Sequence, residues 1–131
     1  MKKWVLIFCV LMLSIVGCGK QDVAESYINT TFIVKERIED TFDYKVINEI
    51  ENKNSAQNII NIFKNVKWET NTERRMATEP DYRMNNYAIW ITPNGDRLEI
   101  INKDNSNYVR LTQEKSAELF KVMTRNELKS R

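Results

Sequence analysis

Apolar side chains fall along this chain in three rhythms, and each rhythm predicts a different kind of element. At the amino end they are nearly continuous: Trp4 to Val16 is apolar but for Ser14, with Lys2 and Lys3 before it and Gly17-Cys18 after it. A bilayer-spanning helix needs roughly 20 such residues, so a shorter run behind a basic start reads as a cleaved export signal over 1–17. Residues 18–30 are polar and read as a tether. Period two follows: Tyr44, Val46, Asn48 and Ile50 alternate with Lys45, Ile47, Glu49 and Glu51, which predicts a strand. Thr31–Ile38 is also read as a strand on Phe32, Ile33 and Val34, although Lys35-Glu36-Arg37 would suit a helix. Helical spacing comes next, with Ala56, Ile59, Ile60 and Phe63 on one face. Asn54 is the expected cap of that helix, with Gln57 three residues on as in a capping box, and the helix should end near Asn65.

Beyond it, Val66–Met76 is rich in Val, Trp and Thr and reads as a strand that Glu79-Pro80-Asp81 breaks. Tyr82–Thr92 reads as one strand, with Tyr87, Ile89 and Ile91 on one face and Ala88 and Trp90 on the other. Pro93-Asn94-Gly95-Asp96 is a turn, since Pro presets one dihedral and Gly accepts positive φ. Arg97–Asn102 returns as the partner strand, Lys103–Asn107 is a polar turn, and Tyr108–Leu111 is a last strand. Thr112 then caps a second helix, with Glu114 near its positive end; Ala117, Leu119, Phe120 and Met123 are its expected core side, and Arg125 and Lys129 suit its C-terminal end. Consecutive hairpins imply an antiparallel sheet, and two amphipathic helices must bury their stripes against it. The expected fold is therefore α+β: one domain over 31–131, with about five antiparallel strands and both helices on one face. A strand followed by a capped helix occurs at 45–65 and again at 108–124, a similarity too faint for a repeat.

The tetrapeptide Ile15-Val16-Gly17-Cys18 resembles the lipobox of bacterial lipoproteins. The resemblance implies that the Cys18 thiol takes a diacylglycerol, that the chain is cut between Gly17 and Cys18, and that the domain is held on the extracytoplasmic face of the cell membrane. Each buried methylene contributes about 0.8 kcal/mol and one acyl chain binds only reversibly, so two or three palmitate-like chains would make release negligible. Cleavage would remove two lysines from the 20 basic residues and none of the 18 acidic ones, leaving a formal charge of zero. A neutral domain outside the cell has no electrostatic drive toward nucleic acid. Abundant Asn, Lys and Ile beside 3 Gly and 2 Pro fit an AT-rich genome such as that of a Gram-positive bacterium. Cys9 would leave with the signal and Cys18 would be acylated, so packing alone must hold the fold; zero His leaves no Cys/His zinc site.

Met76-Ala77, Pro80-Asp81-Tyr82, a hairpin, and Tyr108-Val109-Arg110-Leu111-Thr112 before a helix resemble the YhfM-like small lipoproteins of bacilli. That resemblance implies a lipobox signal, a linker and one small α+β domain, and no established activity. The chain departs from the family pattern at Thr78-Glu79 and at Asn85-Asn86.

Candidate chemistry is sparse. Without His the commonest general base is missing, and an acylated Cys18 is no nucleophile. Ser106, Ser116 and Lys115 sit in no recognisable Ser–Lys motif. Glu49 and Glu51 share a strand face, where solvation explains them better than glycoside hydrolysis. Asn102, Asp104 and Ser106 alternate like calcium ligands, but Asn107 stands where the loop needs Gly and Gln113 where it needs Glu. Asn29-Thr30-Thr31 matches a glycosylation sequon that a bacterial lipoprotein would not normally use. No cofactor or metal is expected, and no enzyme. Trp90, with Arg97 and Arg110 on neighbouring strands, is the candidate exposed binding face; the competing reading buries Trp90 in the core or under a loop. The expected role is a non-enzymatic binding or accessory module of the envelope. An inhibitor or immunity-type protein against an exported enzyme or toxin is the alternative, and a small hydrolase comes third.

Overall fold

Six strands and two helices make up the computed structural model, which describes residues 30–70 and 73–131. The expected signal over 1–17, the expected lipid attachment at Cys18 and the expected tether as far as residue 29 lie outside the described residues. The strands are β1 (Phe32–Arg37), β2 (Tyr44–Ile50), β3 (Tyr82–Met84), β4 (Tyr87–Ile91), β5 (Leu98–Asn102) and β6 (Tyr108–Arg110); the helices are α1 (Lys53–Asn65) and α2 (Gln113–Thr124). They form one antiparallel sheet in the order β2-β1-β3-β4-β5-β6. The class is α+β as expected, with one strand more than about five.

Both helices pack on the same sheet face. Ile59, Ile60, Ile62 and Phe63 of α1 and Leu119, Phe120 and Met123 of α2 share a core with Val34, Met84, Ile89, Leu98, Ile100 and Val109 of the sheet. Ala56 is buried with them, as its spacing predicts, but Ala117 is exposed; Ser116 takes the buried place on α2. The Ser116 Oγ accepts the Leu98 amide at 2.9 Å and ties α2 to β5.

Several local expectations change. The cap of α1 is Asn52, not Asn54: its Oδ1 accepts from the amides of Asn54 (2.9 Å) and Ser55 (3.3 Å). Thr112 caps α2 as expected, accepting from the Lys115 amide at 3.2 Å. The alternation of β2 is interrupted by a bulge, because Val34 faces Asn48 while Lys35 faces Val46. Ile47 is the extra residue, and it packs on the core while Val46 is left exposed. Asn48 stays on the helix side, where its Nδ2 donates to the Met123 carbonyl at 3.0 Å.

The described residues of Val66–Met76 form no strand. After Trp68 the run is polar and does not alternate, and among the described residues a single backbone bridge, between Glu69 and Tyr108, joins it to the sheet. Two backbone bonds, Glu69 N–H to Tyr108 O at 2.7 Å and Tyr108 N–H to Glu69 O at 3.0 Å, cap the open edge of β6 there. Tyr82–Thr92 is a hairpin rather than one strand: Met84 pairs with Tyr87, and Asn85 turns the chain at φ 50°. Asn tolerates that left-handed conformation better than most residues. At the β4–β5 turn, Gly95 has φ 75°, and a Cβ there would stand 2.7 Å from the Lys129 carbonyl oxygen. Only glycine suits both the dihedral and the close approach of the C-terminal segment.

Candidate binding site

Trp90 is not part of an exposed face. Cross-strand register places it in one row with Glu99 and Arg110, on the sheet face opposite the helices. To that extent the expected grouping holds. Yet Trp90 is 8% exposed, because the chain between α1 and β3 runs beneath it and the indole Nε1–H donates to the Thr78 carbonyl at 2.9 Å. The same segment lays the Arg74 guanidinium 3.8 Å from the centre of the Tyr108 ring. Arg110 is exposed and Arg97 half-buried, but neither adjoins an open aromatic surface at Trp90. The loop-covered alternative describes the residue.

The other sequence candidates are structural. Asn102 and Asp104 both accept from the Asn86 Nδ2, which ties the β5–β6 turn to the β3–β4 turn. No group of three or more His, Cys, Asp or Glu among the described residues could hold a metal ion. Glu49 and Glu51 line a mostly polar cleft of about 320 Å3 with Lys121 and Arg125, not a carboxylate pair in an apolar cleft. Ser116 is spent on the Leu98 amide.

An aromatic cleft of about 260 Å3 lies instead where the end of α1 meets the tips of β4 and β5. Its wall is built in sequence order. Helical spacing puts Phe63 on the buried side of α1; the helix stops at Asn65, and Trp68 folds back so that its Nε1–H donates to the Phe63 carbonyl at 2.9 Å. Period two on β4 turns Tyr87 to the same side. Phe63 and Tyr87 are 4.4 Å apart between ring centres, and Trp68 and Tyr87 are 6.2 Å apart and inclined by only 29°. Trp68 and Tyr87 are half-buried, so parts of both rings face the cleft.

Amides make the polar rim: Asn102 at the end of β5, then Asn105 and Asn107 in the following turn. The Asn102 Oδ1 accepts from the Asp104 amide (3.0 Å), and the Asn105 Oδ1 accepts from the Asn107 amide (2.9 Å), which fixes both side chains. Lys64 is the one charged lining residue. A fixed aromatic wall with a few oriented amide groups suits a small, uncharged, ring-bearing ligand that makes hydrogen bonds. The volume lies just under the usual range of roughly 300–1,000 Å3 for ligand clefts, so a single ring fits and a long chain does not. The sequence hides this site, because Trp68 falls in a run that reads as a strand and Asn102 at the end of another, with nothing local to bring them together. The usable signal was Trp68 five residues after Phe63, just past the helix end.

No protein-family model matches this chain, and neither a curated protein nor a solved structure is significantly similar to it.

Proposed function

We propose that this chain is a lipid-tethered, extracytoplasmic binding module without a catalytic role, anchored through Cys18, whose aromatic cleft holds a small uncharged group of an envelope component. The observation that carries the binding reading is the Phe63–Trp68–Tyr87 wall facing an amide rim. Its lining offers stacking and hydrogen bonding and contains no carboxylate. The lipobox-like Ile15-Val16-Gly17-Cys18 supports the location.

Full-length protein in a polyoxyethylene detergent, titrated with methyl glucoside and with p-cresol, should show saturable changes in tryptophan emission that Trp68→Ala removes. No saturable change with either probe would remove the binding reading. Metabolic labelling with an alkyne palmitate should mark the wild-type protein and not Cys18→Ala; an unlabelled wild type would remove the anchor.

A second reading, an inhibitor or immunity-type protein, is favoured by one observation. Ile33, Ile38, Phe42 and Val46, the exposed large hydrophobic residues among those described, all lie on the β1–β2 hairpin. Such clustering marks protein contact surfaces. On that reading Phe42→Asp, and not Trp68→Ala, would abolish binding to the target enzyme.

A further inference from the structure

On the sheet face away from the helices, a second cleft of about 490 Å3 lies between the β1–β2 hairpin and the turn after β5. Lys35, Arg83 and Lys103 line it, with Asp43 as the one carboxylate. Lys35 and Arg83 stand directly opposite each other on neighbouring strands, an arrangement that is destabilising for like charges. Neither Lys35 nor Lys103 has an ion-pair partner among the described residues. Arg83 is held in place by stacking, its guanidinium carbon 4.0 Å from the centre of the Tyr44 ring. Its nearest carboxylate, Glu79, is 3.7 Å away, beyond hydrogen-bond length, and both side chains are more than a third exposed. The Arg83 Nε is buried without a hydrogen-bond partner. A buried orphan donor calls for an explanation, and so does a cross-strand repulsion that the exposed Glu79 offsets only in part.

We propose that this cleft binds a phosphate group. Three cations against Asp43 leave the lining with a net charge of +2. A phosphate monoester carries about −1.5 to −2 at pH 7, whereas a carboxylate carries one charge. A stacked guanidinium and two ammonium groups supply donors that a phosphate can accept from several sides. The group could belong to a soluble phosphate ester or to a phospholipid headgroup. The site stands apart from the aromatic cleft, and its success or failure is independent of the function proposed above.

The test is isothermal titration of the full-length protein in a polyoxyethylene detergent and a phosphate-free buffer. The probes are glycerol 1-phosphate, dihexanoylphosphatidic acid, whose headgroup is likewise a phosphate monoester, and, as a charge control, acetate. Saturable binding of one or both phosphate probes is expected, at least tenfold tighter than acetate and weakened by added salt. A tighter short-chain lipid identifies the headgroup as the source; equal or tighter glycerol 1-phosphate identifies the soluble ester. Arg83→Gln should abolish binding. Because Arg83 also packs on Tyr44, Lys103→Gln is the second variant; it is exposed and should weaken binding three- to tenfold with an unchanged melting temperature. Lys35→Gln should weaken binding while raising the melting temperature, since it relieves the repulsion. No saturable binding of either phosphate probe would overturn the proposal, as would affinity unchanged in both lysine variants.

Discussion

Ser116 and Leu98 are both fully buried, and the hydroxyl of one satisfies the amide of the other at 2.9 Å. The chain after β6 meets only one side of Leu98: the Leu111 amide donates to the Leu98 carbonyl at 2.9 Å, while the Leu98 amide donates to the hydroxyl. Ser116→Ala would therefore leave a buried N–H without a partner, at a cost of about 1–3 kcal/mol. A fall in the urea midpoint with an unchanged slope would confirm it; a change under 0.5 kcal/mol would show that water replaces the hydroxyl. Tyr108 makes a different kind of contribution. Its hydroxyl donates to Glu99 at 2.6 Å, and its pKa is pushed up to about 12, first by burial and then by the hydrogen bond to the Glu99 carboxylate. The unfolded phenol titrates near 10, so between pH 10 and 12 the folded state binds more proton than the unfolded one. The stabilisation is complete below pH 10 and is lost as pH rises toward 12. Tyr82, raised by burial and by Glu36, loses its share at still higher pH. Melting temperature followed against pH should fall above 10, and more gently in Tyr108→Phe; parallel curves would contradict the linkage.

Elements with one clear period were legible in the sequence, and elements whose shape depends on distant partners were not. The α1 stripe of Ala56, Ile59, Ile60 and Phe63 could be read directly because a helix repeats its own geometry. Its cap was misplaced because Asn52 and Asn54 both precede the stripe, and only the backbone turn decides which carbonyl oxygen meets the free amides. Asn52→Ala should cost roughly 0.5–2 kcal/mol in chemical unfolding and Asn54→Ala much less; equal losses would mean that the two share the cap. The bulge at Ile47 was equally hidden, since period-two counting assumes that no residue is skipped. The segment after α1 shows the limit most plainly. Its Val, Trp and Thr suggest a strand, but its route is set by Trp90 and Tyr108, residues that it meets only in the folded sheet. It crosses the β6 edge and then covers Trp90, so the aromatic residue that looked like a binding anchor instead holds a loop. Trp90→Ala should cost about 3–5 kcal/mol and expose the 73–80 segment to proteolysis; a loss below 1 kcal/mol would mean that the loop folds on its own contacts.

At the scale of the whole molecule, the division of labour runs across the sheet. Both helices pack on one face, a wrapped loop covers the β4–β6 half of the other, and the β1–β3 half stays open with the hairpin hydrophobics and the cationic cleft. Fold class was readable because two helical stripes and several hairpins admit few arrangements. Strand order was not, because β3 inserts between β1 and β4, and its short run of three residues carries almost no period. The aromatic cleft was invisible for the same reason: α1, β4 and the β5–β6 turn meet only once that order is set. The described core gathers wholly between Phe32 and Leu128, and the first strand is fastened at its entry, where Asn85 accepts from the Ile33 amide at 2.9 Å and donates to the Thr31 carbonyl at 3.0 Å. A chain beginning at Thr31 keeps every one of these contacts. It should unfold in one cooperative transition, with an enthalpy of about 70 kcal/mol near 60 °C on the usual per-residue scaling and equal calorimetric and van't Hoff values. A broad transition, or a calorimetric enthalpy well above the van't Hoff value, would show that residues before 31 complete the cooperative unit. In that event the residues before 31 would be part of the fold rather than the tether proposed above.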